Sequence, residues 1–91
     1  MSKSINGYKT VIYVRNVPKQ EAAGNLVMLA YKYESVFNLL YDKKDGAPYV
    51  VIYTNNPDEI IKTIGEHKLF DKYRDGFDIH IVRNRHFKEE V

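Results

Sequence analysis

Between Thr10 and Arg15 the chain reads TVIYVR, with Ile12 and Val14 alternating against Val11, Tyr13 and Arg15. A period of two marks a strand with one buried face. Pro18 ends it, because proline has no N–H to continue a ladder. From about Lys19 to Tyr33 the period lengthens to that of a helix. Ala22, Ala23, Leu26, Ala30 and Tyr33 fall on one stripe, and Glu21, Asn25 and Lys32 face water. Gly24 weakens this helix by about 1 kcal/mol relative to alanine. Residues 36–42, VFNLLYD, read as a second strand whose inner face is ambiguous: Asn38 favours burying Phe37 and Leu39, and Leu40 argues the reverse. The turn KKDGA follows, with Asp-Gly as a hairpin signal because both residues tolerate positive φ. YVVIYT, residues 49–54, is the third strand.

The sharpest local signal is NPDE at 56–59 in the run NNPDE. Asn56 is placed to cap a helix, Pro57 suits its first turn, and Asp58 and Glu59 favour the positive end of its dipole. Glu59 also stands at capping-box spacing. This second helix turns Ile60, Ile61 and Ile64 inward and is expected to fray near Gly65, leaving HKLFDKYRDG as a connection with room for another turn. Phe77 to Val82 alternates again as a fourth strand.

The order βαββαβ, with short connections and right-handed crossovers, predicts an α+β, ferredoxin-like open-faced sandwich. Its four-stranded antiparallel sheet has the order 4-1-3-2, with both helices on one face. One domain is expected, with its core over about residues 9–84 and flexible tails at 1–8 and 85–91. If Ile12, Val14, Val50, Ile52, Ile79 and Ile81 point at the helices, alternation sends Lys9, Val11, Tyr13, Arg15, Tyr49, Val51, Tyr53, His80 and Val82 to the open side. On this reading Tyr13 lies close to Tyr49, as two rings of a stacking platform.

Composition narrows the chemistry. The 91 residues include no cysteine, which excludes disulfides, thiolate metal sites and thiol nucleophiles and fits a reducing compartment. No segment approaches the ~20 apolar residues of a membrane span, so a cytoplasmic protein without membrane contact is expected. The net charge of +2 is small. It is unevenly spread, with Lys3, Lys9, Arg15 and Lys19 near one end and Arg83, Arg85 and Lys88 near the other. His67, His80 and His86 lack ligand spacing, and there is no phosphate loop, nucleophile elbow or paired carboxylate. Neither an enzyme nor a cofactor or metal is expected.

IYVRNV, residues 12–17, resembles the hexamer on the first strand of RNA recognition motif domains: aliphatic, aromatic, aliphatic, any residue, Asn, aliphatic. The resemblance continues through LAYKYESV, KKDG, YVVI, NPDEIIKTI and FDIHIV, covering about residues 10–84. In that family the hexamer aromatic and two aromatics of an octamer on the third strand stack on bases. The resemblance therefore assigns Tyr13 to the hexamer ring and Tyr49 to the later octamer ring. The octamer departs from the family pattern: in DGAPYVVI, Asp45 stands for the usual basic residue, Ala47 for the first aromatic and Pro48 for the small residue. AGNLVMLAYKYESVFNLLY is also similar to the first helix and second strand of the HPr phosphocarrier domain. KQEAA stands where that domain needs its histidine and arginine, which excludes phosphotransfer by that route.

The resemblance implies a degenerate RNA recognition motif that binds single-stranded RNA through Tyr13, Tyr49 and Tyr53. Arg15, Asn16, Lys44, His80, Arg83 and Arg85 would supply polar and phosphate contacts, and Phe87 would cover part of the sheet. The competing expectation is a protein partner, or a homodimer formed through the same face, because Val11, Val51 and Val82 beside three tyrosines make a patch that monomers seldom leave bare.

Overall fold

In the computed structural model, which describes residues 7–18 and 20–83, the elements follow in the expected order. They are β1 (Thr10–Arg15), α1 (Gln20–Lys32), β2 (Val36–Tyr41), β3 (Pro48–Thr54), α2 (Pro57–Glu66) and β4 (Asp78–Val82). Short 3-10 turns at Lys68–Phe70 and Arg74–Gly76 fill the last connection. The sheet is antiparallel in the order β2-β3-β1-β4. This is the α+β, ferredoxin-like arrangement expected from the pattern. Of the expected flexible tails, residues 1–6 and 85–91 lie outside the described residues. In the described part of that tail the Gly7 carbonyl accepts from Asn55 Nδ2 at 3.1 Å and the Tyr8 hydroxyl donates to the Glu34 carbonyl at 2.8 Å.

The core lies between the sheet and the helices. Ile12, Val14, Val50 and Ile52 are buried against Ala22, Ala23, Leu26, Leu29 and Ala30 of α1 and Ile60 and Ile64 of α2, with Ile79 and Ile81 packed at the margin. The ambiguity of β2 resolves by register. Phe37 pairs with Ile52 and Leu39 with Val50, so both share the helix side, and Asn38 and Leu40 take the other. Phe70, Tyr73 and Phe77 extend the core from the last connection, with Tyr73 and Phe77 stacked at 6.1 Å. Arg74 holds that segment in place by donating from Nε to the Ile64 carbonyl at 2.9 Å and from Nη2 to the His67 carbonyl at 2.8 Å, which satisfies carbonyls at the end of α2.

Burial comes first among the causes that raise the Tyr73 phenol above its ordinary value of 10.0, followed by the nearby Glu21 carboxylate. That carboxylate does not reach hydrogen-bonding geometry with the buried hydroxyl. The folded chain therefore keeps a proton that the unfolded chain releases above pH 10.0, so this stabilisation is complete below that pH and is lost as pH rises toward the folded value. Tyr73→Phe should flatten the alkaline decline in chemical-denaturation midpoints.

The end of α1 departs from simple rules. The Glu34 N–H donates to the Tyr31 carbonyl (3.1 Å) and the Ser35 N–H to the Ala30 carbonyl (2.8 Å), with Glu34 at φ +53°. This is a Schellman cap with glutamate at the position that usually takes glycine. Glu34→Gly is expected to raise stability by about 1 kcal/mol, measured by urea unfolding at low protein concentration, because glycine adopts the left-handed conformation without a Cβ penalty.

Asn56 does not cap α2 through its side chain. Its Nδ2 donates to the Tyr33 carbonyl at 3.2 Å, and Glu59 closes no capping box with it. The hydroxyl of Thr54 organises this corner instead, accepting the Asn56 N–H and the Ser35 hydroxyl, each at 2.8 Å, while fully buried. Thr54→Val keeps the shape but leaves the Asn56 N–H without its acceptor. A loss of about 1–3 kcal/mol in thermal or urea unfolding is expected.

Candidate functional site

Residues directly opposite in antiparallel strands point the same way, so the pairing register lays out the open face as a grid. Across β2, β3, β1 and β4 the first row is Val36, Tyr53, Val11 and Val82. The second is Asn38, Val51, Tyr13 and His80. The third contains Leu40 beside Tyr49 and Arg15 beside Asp78. Tyr13, Tyr49, Tyr53, Arg15 and His80 thus share one surface, on the side opposite the helices.

Their neighbours differ from the simplest expectation. Tyr13 stands opposite Val51 on one side and His80 on the other, with its ring 6.0 Å from the His80 ring. Tyr49 lies diagonally, one row away, and His80 stands directly across from Tyr13. Over Tyr49 sits the Arg15 guanidinium, 4.4 Å from the ring centroid, and Asp42 Oδ2 approaches Arg15 Nη1 at 3.6 Å. A cation over a ring face is attracted by the ring quadrupole, so this pair presents guanidinium where a bare ring was expected. Arg15 is exposed and the three tyrosines are half-buried.

The valines also differ. Val11 is 0% exposed and Val51 2%, so the open face offers no bare valine patch at these two positions. Leu40 is the exposed large aliphatic on this face, and other exposed apolar side chains lie at Leu39 and Tyr41 of β2, at Met28 and Tyr31 of α1, and at Leu69.

Asn16 ends β1 in the left-handed region, at φ +59°, which asparagine tolerates better than most residues. It is exposed and turns the chain away from the sheet. Lys44 is exposed in the β2–β3 turn, where its N–H donates to Asp42 Oδ1 at 2.8 Å. Gly46 alone in that turn has positive φ (+73°). Arg83 reaches away from the grid to α2, with Nη2 2.8 Å from Asp58 Oδ1, beside a polar hollow lined by Lys9, Thr10, Asn55 and Pro57. Arg85 and Phe87 lie outside the described residues. Among the described residues no three His, Asp or Glu side chains gather as metal ligands, and no helix is long and apolar enough to cross a membrane.

The Arg15–Tyr49 contact and the Tyr13–His80 pair were missed in the sequence reading. The β1–β3 register carries Arg15 to the level of Tyr49, and the β1–β4 register sets Tyr13 beside His80. Compared with known proteins, the chain matches no family model, no curated protein and no solved structure.

Proposed function

We propose that this chain is a degenerate RNA recognition motif domain that binds single-stranded RNA on its open sheet face in the cytoplasm, without catalysis. The observation carrying this reading is the convergence of Tyr13, His80, Tyr53 and the Arg15–Tyr49 pair on the surface opposite the helices. Bases stack on aromatic rings and on guanidinium planes alike, so the replacement of one ring by Arg15 over Tyr49 preserves a planar surface. Lys44 and Lys9 would meet phosphates, and Asn16 lies at the exit of β1. Arg83 would have to leave Asp58 to join them. The lack of cysteine accords with a reducing compartment.

The competing reading, a protein partner or homodimer on this same face, drew on Val11, Val51 and Val82 beside three tyrosines. Burial of Val11 and Val51 leaves Val82 and the half-buried tyrosines to carry it.

Titration of labelled single-stranded oligonucleotides at several salt concentrations tests the proposal. Affinity is expected to fall with salt, log K against log salt having a slope of about −0.7 per neutralised phosphate. Absence of binding at low salt would overturn it.

A further inference from the structure

Where β1 and α2 begin, Lys9, Thr10, Asn55, Pro57 and Arg83 enclose a hollow of about 450 Å³. Asn55 is used up in building its wall: Oδ1 accepts the Lys9 N–H at 3.0 Å and Nδ2 donates to the Gly7 carbonyl. The other polar groups are donors. Thr10 lies on the helix side of β1 with Ile12 and Val14, is 5% exposed, and among the described residues its hydroxyl has no hydrogen-bond partner. A buried hydroxyl is ordinarily bonded; this one lines the hollow instead. Lys9 is exposed and forms no ion pair among the described residues. Arg83 spends Nη2 on Asp58 Oδ1 at 2.8 Å and keeps its remaining N–H donors. No side chain caps α2, so the N–H groups of its first turn lack a partner as well.

We infer that this hollow binds a phosphate group through the Lys9 ammonium, the Thr10 hydroxyl and the Arg83 guanidinium. Charge selects an anion. Lys9 and Arg83 against Asp58 leave one net positive charge, and Glu59, the other acid of the first turn, lines a different hollow with Tyr33 and Lys62. The donors select the kind of anion, because a phosphate accepts several hydrogen bonds at once, charged and neutral. The start of α2 adds the positive end of its dipole. A space of this size is in the range of small-molecule sites and exceeds a bare phosphate. The group therefore arrives on a larger molecule, either a small phosphate ester or the 5′ end of an RNA strand. No aromatic ring takes part, and Lys9 alone is shared with the sheet-face reading.

Titration of glycerol phosphate into the isotope-labelled full chain at constant ionic strength tests the inference. Saturable amide shifts are expected at Thr10, Asn55 and Asp58. Arg83→Ala should weaken binding about tenfold, and Thr10→Val, which keeps the side chain's shape, about fivefold. Neither variant alters the tyrosine face, so their effect on phosphate is separable from stacking of bases. A 5′-phosphorylated oligonucleotide that shifts the same amides at about tenfold lower concentration than its unphosphorylated counterpart makes a strand end the source of the group. Equal potency of the two makes it a small ester, and either result upholds the site. Shifts that never saturate with glycerol phosphate, or that saturate alike in the parent and both variants, would overturn it.

Discussion

Leu26→Ala is expected to cost about 2–5 kcal/mol of unfolding free energy, the range for truncating a buried leucine. Leu26 is 0% exposed, in the middle of α1 and at the centre of the layer between helices and sheet. A domain of this size holds on the order of 5–14 kcal/mol in total, so the variant should show a far lower urea midpoint with an unchanged slope. Met28→Ala, two residues on but exposed, should shift stability by no more than about 0.5 kcal/mol. Equal effects at the two positions would mean that α1 does not pack with the face described.

The second large effect falls on binding. Tyr13→Ala and Tyr53→Ala should each weaken single-stranded RNA by about 1–3 kcal/mol, roughly ten- to hundredfold per ring. Tyr13→Phe keeps the ring and should bind nearly as the parent does, which separates stacking from hydroxyl hydrogen bonding. The check is fluorescence anisotropy with one oligonucleotide at fixed salt, with melting curves to confirm folding. Affinity undiminished in both alanine variants would remove the stacking role from these rings.

Much of the architecture could be read before any coordinates because local and global signals agree. The alternation in TVIYVR and YVVIYT assigns faces correctly, and the stripe Ala22, Ala23, Leu26, Ala30 points α1 at the sheet. Edges were harder. β2 is apolar on both sides, so periodicity had no contrast to work with; its face emerges only from pairing with β3. The Phe70–Tyr73–Phe77 cluster sits on 3-10 turns, where neither strand nor helix spacing applies. Asn56 looked like a side-chain cap because local rules do not include Tyr33, whose carbonyl competes for the amide.

The candidate site was legible as a set of residues and less so as a set of contacts. Alternation gathers Tyr13, Tyr49, Tyr53, Arg15 and His80 on one face, but which ring touches which depends on register across strands far apart in sequence. Likewise Arg83 looked free until the fold brought Asp58 beside it. Exposure of Val11 and Val51 was misjudged because alternation reports the side of a sheet and not how deeply a small side chain sits among larger ones.

The most direct measurement is amide chemical-shift mapping on adding a short single-stranded RNA to the isotope-labelled chain. The account predicts perturbations concentrated at Val11, Tyr13, Tyr49, Tyr53 and His80, with little change along the outer face of α2. Perturbations confined to the helices, or none at saturating RNA, would contradict it.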